Sequence, residues 1–435
     1  MSVDVLVGSQ RGDEGKGRFV DILAAEYDAV ARYNGGNNAG HTVVLEGYDE
    51  PLKLHLVPSG IAHEGTVNII GNGTLVNPVQ LVAEIAHIRS FGLEVSEDNL
   101  KISSGAHLIM PHHIWDDKIR ETDPGIAQGS TKTGIAPTMA DKSMRLGKRV
   151  EEIRNRPDEL FDIAYSALVA QRELRDEAGF KPIDEAAEAR EFIEAALSIG
   201  CYVTDTVRFL GRSLERYPDL RVLAEGAQAF ALDIDHGMYP FTTSTSTTSG
   251  GATIGLGVPA SRIGKVFGVV KAVPSHVGGG NFVTEIFNEE QLATLHGDKS
   301  AVDGERGTTT GRDRRLGHLD LPLIRRSNLV NGPDEIILTK LDWVQRFGPV
   351  IDVCVEYERK GKILEDAPDS ARKLDQSRPI YVTLPGWEED ITGARSFSDL
   401  PKAAQYYVDF LEYELRTPIT MIGVGAQPDE YIDRR

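Results

Sequence analysis

The chain has 435 residues, a formal charge of −19 and 40% hydrophobic residues, which suits a large globular enzyme. The acidic surplus argues against a general nucleic-acid binder, because neutralising phosphates requires clustered Lys and Arg. Cys201 and Cys354 fit no metal or redox spacing, a strand signal begins near the start, and no apolar run approaches a membrane span. A soluble, cytoplasmic protein with neither nucleic acid nor membrane as partner is expected.

In chain order, Val3-Asp4-Val5-Leu6-Val7 reads as a strand that feeds Gly8-Ser9-Gln10-Arg11-Gly12-Asp13-Glu14-Gly15-Lys16-Gly17. The apolar positions that follow, Phe19, Val20, Ile22, Leu23 and Ala24, have helical spacing. A glycine-rich loop at a helix N-terminus offers N–H groups and a positive dipole end to phosphate oxygens, and Lys16 adds a point charge. The loop departs from G-x-x-x-x-G-K-[ST] at Gln10, where glycine is usual, and at Gly17, where a hydroxyl would hold magnesium. Asp13 is then the nearest oxygen donor for a metal. The bland alternative is a glycine-rich turn with a solvated Asp-Glu pair.

Further strand-like runs fall at 28–33, 67–70, 101–110, 221–225, 265–273, 335–341, 349–357, 379–384 and 418–424, and helical patterns at 15–26, 78–91, 157–176, 184–197 and 399–415. This alternation predicts an α/β fold with a mainly parallel central sheet covered by helices on both faces. Residues 151–215 are charged and helical, so one domain spanning 1–435 with an inserted helical layer is expected. Ligands on such sheets collect beyond the carboxyl ends of strands, where the glycine-rich segments fall.

Asn34-Gly35-Gly36-Asn37-Asn38-Ala39-Gly40-His41-Thr42 follows the second strand and combines backbone freedom with amides, a hydroxyl and an imidazole that can exchange protons near neutral pH. Glu225-Gly226-Ala227-Gln228 ends another strand, and Gln228 offers the donor and acceptor that an amide edge needs. Asp233, Asp235 and His236 crowd into four residues, which favours a locally bonded turn over a metal site. The hydroxyl run from Thr242 to Ser249 suits either a polar loop or a phosphate-contact surface. Gly307 to Arg315 forms a loop with guanidiniums able to clasp a small carboxylate, with a solvated charge run as the alternative. Thr339-Lys340-Leu341-Asp342 has the N/T-K-x-D pattern of guanine readers, in which the carboxylate accepts from the base and the lysine stem covers the ring.

Together these motifs and Pro385-Gly386-Trp387 closely resemble the adenylosuccinate synthetase family, in the family's order and along the whole chain. The resemblance implies a GTP-dependent ligase that joins L-aspartate to inosine monophosphate (IMP) with Mg²⁺. It implies Asp13 as the base at N1 of IMP, His41 as the donor to the transferring phosphoryl group, and Lys16 and Gln228 as further catalytic residues. For GTP it implies Gly12, Gly15, Lys16, Gly17, Gly40, Thr42, Lys340, Asp342 and Gly425, and for the metal Asp13 and the Gly40 carbonyl. For IMP it implies Asp13, Asn38, Thr131, Gln228 and Thr243, with Arg145 reaching the IMP phosphate of the neighbouring subunit in a homodimer. For aspartate it implies Thr308, Thr309, Thr310, Gly311, Arg312 and Arg314.

The chain departs from the family pattern at Gly129 to Gly134, where G-T-T-G-R-G is usual, at His276 and Asp313, where many members carry arginine, and in the longer Gly423 to Asp429 segment. A nucleotide-controlled switch would need the phosphate loop and guanine motif, but neither the arginine loop nor the pairing of Asp13 with His41.

Overall fold

The computed structural model describes residues 2–45, 47, 48, 50–125, 127–296 and 314–435. Strand β1 (Ser2–Gly8) runs through the middle of the molecule and determines its layers. Val3, Val5 and Val7 turn to a core that includes Leu210, Leu214, Ala252 and Leu256. Leu6 turns the other way, onto Phe19, Val20 and Leu23 of helix α1 (Lys16–Ala24). A strand apolar on both faces requires cover on both, which is the condition under which parallel sheets form.

The other strands of this sheet are β2 (Ala29–Arg32), β3 (Val67–Ile70), β4 (Leu100–Ser103), β5 (Val203–Thr204), β6 (Arg221–Glu225), β7 (Ile263–Lys271), β8 (Glu335–Thr339), β9 (Ile419–Gly423) and β10 (Tyr431–Asp433). Among the described residues the sheet has ten strands in the order β10-β9-β8-β7-β1-β6-β2-β3-β4-β5. Every pair is parallel except β9 with β10. The loops that follow β1, β2, β6, β7, β8 and β9 therefore emerge at one edge, the carboxyl edge, and Asp13, Asn38, Gln228 and Lys340 sit on them.

Helix α2 (Pro78–Ser90) starts on an Asn77 cap and packs through Leu81, Ile85 and Ile88 into a core shared with α3 (Pro157–Ala170) and α4 (Glu185–Ser198). The run expected at 157–176 is interrupted at Gln171, where a separate helix, Arg172–Glu177, begins. The run expected at 101–110 is likewise divided: β4 ends at Ser103, and His107–Leu108 pairs with Leu75–Val76 in a small sheet of its own.

The runs at 349–357 and 379–384 form strands, but outside the central sheet. Val350–Arg359 pairs antiparallel with Arg378–Pro385, and this second sheet packs its Ile351, Val353 and Leu384 against Tyr407 and Leu411 of helix α5 (Lys402–Leu415). Among the described residues no helix is long and apolar enough to cross a membrane.

Candidate active site

The loop after β1 is braced from within by its own acidic residue. Glu14 is buried, and its Oε1 accepts from the Gly12 N–H at 2.8 Å and the Gln10 N–H at 3.3 Å. Its Oε2 pairs with Lys16 Nζ at 2.6 Å. The bland reading of a solvated Asp-Glu pair therefore fails at Glu14. A buried carboxylate is tolerated there because N–H donors and an ammonium surround it. Gly15 caps α1 in the left-handed conformation, with φ 82°, and turns the chain into the helix.

Both departures from the usual phosphate loop have physical causes. Gln10 ties the loop to β7: its Nε2 donates to the Lys271 carbonyl at 3.2 Å, and the Lys271 N–H donates to its Oε1 at 2.8 Å. At Gly17 a Cβ would lie 2.6 Å from His41 Cβ, so a serine or threonine has no room. The absent hydroxyl is the condition for seating His41 against the loop.

His41 opens a short hairpin, His41–Val43 with Leu52–Leu54, and is buried. Its Nδ1 is hydrogen-bonded to Glu225, the last residue of β6. Glu225 also accepts from Ser59 N–H at 2.8 Å and Ser59 O–H at 2.7 Å, and Arg32 Nε stands 3.5 Å from it. Burial, with Arg32 next, pushes the His41 pKa down to about 4 and keeps the ring neutral without ligands. Burial opposes ionisation of Glu225, but Arg32, His41 and Ser59 outweigh it and hold the carboxyl below the ordinary range.

Asp13 sits at φ 58°, a left-handed conformation, and its Oδ2 is 2.8 Å from Arg314 Nε. The base expected at the purine and an arginine expected on the aspartate carboxylates thus meet directly. Thr308, Thr309, Thr310, Gly311 and Arg312, with Asp313, lie outside the described residues.

The loops after β2 and β6 are stitched together. Asn34 Nδ2 donates to the Ala227 carbonyl at 3.1 Å, and the Ala227 N–H donates to Asn34 Oδ1 at 2.9 Å. Gln228, at φ 58°, packs against Gly35, and among the described residues neither atom of its buried amide has a hydrogen-bond partner. Asn38 Nδ2 reaches Thr243 Oγ1 at 3.5 Å, so two of the residues expected at IMP meet. The Ala39 carbonyl, immediately before Gly40, is fixed by His55 Nδ1 at 2.6 Å.

Thr131 stands apart from this group, its hydroxyl bonded to Thr133 at 2.8 Å. A cavity of about 370 Å³ joins its loop, through Gly129, to Phe241, His276, Val277 and Arg315. His276 is buried and bonded through Nε2 to the Gly279 carbonyl at 3.0 Å. Arg145 is exposed at the end of the helix Ile135–Met144, between Met144 at 57% exposure and Leu146 at 59%. Asp233 makes the local turn: it accepts from the N–H groups of Asp235 at 3.0 Å and His236 at 2.9 Å, and from Thr247 N–H at 2.6 Å.

The guanine motif begins at the end of β8. Thr339 Oγ1 donates to the Glu14 carbonyl at 2.8 Å, Lys340 turns the chain at φ 55°, and its Nζ lies 3.8 Å from the centroid of the Trp343 ring. Arg18, two residues after Lys16, donates to the carbonyls of Gly425, Gln427 at 2.5 Å and Glu430 at 2.9 Å. Sequence reasoning assigned no role to Glu14, Arg18, Arg32, Ser59 or Glu225. Glu225 lay within a quoted motif, but nothing in the linear order signals Ser59 or Arg32 as its partners.

The model of the adenylosuccinate synthetase family matches residues 5–432. The adenylosuccinate synthetase of Streptomyces coelicolor is 43% identical over 434 residues, covering 99% of this chain and 98% of that protein. The fully ligated adenylosuccinate synthetase of Plasmodium falciparum superposes with a TM-score of 0.90 at 34% identity, with 100% of each chain covered. The succinoaminodeoxyadenylate synthetase of cyanophage S-2L shares the fold at a TM-score of 0.60 and 18% identity. The phosphate loop, the His41 loop and the guanine motif at one sheet edge thus coincide with a full-length match, and the chain belongs to the adenylosuccinate synthetase family.

Proposed function

We propose that this chain carries out the family's reaction, the joining of L-aspartate to IMP with GTP hydrolysed to GDP and phosphate, through Asp13, Lys16, His41 and Gln228. Asp13 takes the proton from N1 of IMP, which makes the 6-oxygen a nucleophile for the γ-phosphate of GTP. A phosphorylated 6-oxygen is a good leaving group, so the amine of aspartate then displaces phosphate from 6-phosphoryl-IMP and adenylosuccinate forms. Lys16 leaves Glu14 for the β- and γ-phosphates, His41 donates toward the transferring phosphoryl group, and Gln228 turns its amide to the purine 6-position. Catalysis is one proton removal combined with stabilisation of developing phosphate charge.

Gly12, Gly15, Gly17, Gly40 and Thr42 line the triphosphate, while Lys340, Asp342 and Gly425 hold guanine. Asn38, Thr131 and Thr243 hold IMP. Arg314 with Thr308 to Arg312 holds aspartate, and the ion pair of Arg314 with Asp13 supports this, since that guanidinium already takes a carboxylate. Arg145 completes the IMP phosphate site of a neighbouring subunit, so the working form is a homodimer, and we place it in the cytoplasm. The exposed Met144 and Leu146 on either side of Arg145 suit such an interface.

The donor set fits Mg²⁺. The space for a hydroxyl at position 17 is closed by His41, which supports drawing the ligands from elsewhere in the two loops, the Asp13 carboxylate and the Gly40 carbonyl being hard oxygen donors of the kind the ion prefers. Bound there, the ion would neutralise phosphate charge. The observation that supports this reading is the packing of His41 on Gly17, the residue next to Lys16.

The test is absorbance in the purine band with IMP, GTP, L-aspartate and Mg²⁺, each omitted in turn. A change that requires all four is expected, with Asp13→Asn slower by roughly 10²–10⁴-fold. GTP hydrolysis that needs neither IMP nor aspartate would refute the assignment.

A further inference from the structure

Of the motif Glu225-Gly226-Ala227-Gln228, only Gln228 has a part in the reaction proposed above. Glu225 is nevertheless 0% exposed, and an isolated buried carboxylate is strongly disfavoured. The chain brings donors to it from three separate segments. Oε1 takes the Ser59 hydroxyl at 2.7 Å and His41 Nδ1, Oε2 takes the Ser59 N–H at 2.8 Å, and Arg32 lies beside it in register on β2, 3.5 Å away.

A carboxylate ringed by a guanidinium, an amide N–H and a hydroxyl acts only as an acceptor. The proton of the His41 ring must then sit on Nδ1, which leaves Nε2 as the ring atom available to a ligand. The ring is also fixed in place, because the bare Gly17 closes against its Cβ and Cγ.

We infer that Glu225 is the positioning residue for His41, holding its tautomer and ring plane so that Nε2 meets the terminal phosphate beside Lys16. The inference rests on the reading of His41 as the phosphoryl donor. Its rival is a purely structural role, in which Glu225 joins Arg32 and Ser59 to stitch β2 and β6 and has no bearing on the reaction.

The two roles separate in a double-mutant cycle of Glu225→Gln and His41→Asn, with kcat, the KM of each substrate and melting temperature measured for all four proteins. Positioning predicts that Glu225→Gln lowers kcat roughly 10²-fold, the penalty typical of a catalytic group displaced by about an ångström, while every KM stays within about threefold. In the His41→Asn background the same substitution should then cost nothing further. An equal loss of kcat in both backgrounds, or an undiminished kcat in Glu225→Gln, would overturn the inference.

If Glu225→Gln does not fold, Ser59→Ala removes one donor and leaves the carboxylate in place. It should slow the wild type several-fold and His41→Asn not at all, and an equal effect in both overturns the inference. Nitrogen NMR of the His41 ring is an independent readout: Nδ1 protonated in the wild type, and a mixed tautomer in Glu225→Gln. An unchanged ring pattern in the variant counts against the proposal. Full kcat in His41→Asn alone would instead sink the reading of His41 itself.

Discussion

Replacing Gly17 with alanine sets two opposing effects against each other. Gly17 is the second residue of α1, where alanine is favoured over glycine by up to about 1 kcal/mol if the space is free. The space is not free. A Cβ at this position would lie 2.6 Å from His41 Cβ, 3.0 Å from Cγ and 3.1 Å from Cα. Carbon atoms rest at about 3.5–4.0 Å, so roughly 1 Å of movement must be found.

Side-chain rotation cannot supply that movement, since one of the blocking atoms is the His41 Cα and the ring is tied to Glu225. Overpacking of this kind costs about 1–3 kcal/mol, which outweighs the helical gain. We expect Gly17→Ala to melt a few degrees lower, at roughly 2–4 °C per kcal/mol for a domain of 150–250 residues and less for a larger one. Displacing His41 by about an ångström should lower kcat roughly 10²-fold. The paired assays are a thermal melt and steady-state kinetics at saturating substrates. A variant that melts higher than the wild type and keeps its kcat within about twofold would refute the steric argument. Gly17→Ser, which restores the common phosphate-loop hydroxyl, should fare no better, because its Cβ meets the same atoms.

Arg18→Ala releases the Gly425 to Glu430 segment and should raise the KM for GTP about tenfold, the loss expected from charged hydrogen bonds worth roughly 1.5 kcal/mol, while the KM for IMP is unchanged; an equal rise in both would show that the strap serves the whole fold. His63 Nε2 lies 2.8 Å from Asp21 Oδ1, and this hydrogen bond raises the His63 pKa. The contribution is therefore complete below the unfolded pKa of about 6.5 and disappears as pH rises through the higher folded value. The melting advantage of wild type over His63→Asn should shrink as pH rises above about 6.5 and stay below about 1 kcal/mol, because the pair is partly exposed; a gap that widens with pH contradicts it. Mixing inactive Arg145→Leu and Asp13→Asn proteins should restore up to about a quarter of the activity, since half of randomly mixed dimers carry one intact site. No recovery after subunit exchange would argue against a shared site.

What the sequence disclosed and what it withheld divide along physical lines. The strings at 8–17, 34–42 and 339–342 stood out as candidates because each is contiguous and its residue types suggest a chemistry. The partners of those strings were not. Glu14 beside Asp13 in a glycine-rich loop reads as solvated, and its burial depends on N–H groups that converge only when the loop is folded. Ser59 and Glu225 are 166 positions apart, a separation no local pattern spans. Strand periodicity likewise marks 349–357 and 379–384 as strands without saying that Val350–Arg359 and Arg378–Pro385 pair with each other, away from the central sheet. The split between Ser103 and His107 follows from a turn through Gly105 that apolar character alone conceals.

The 2.8 Å bond from Thr339 Oγ1 to the Glu14 carbonyl joins the end of β8 to the loop that follows β1. Lys340 is the very next residue, so the turn into the Lys340 segment and the loop around Lys16 are pinned to each other at a fixed separation. On the function proposed above, a nucleotide with one phosphate fewer would still reach both ends and would leave only the position opposite His41 empty.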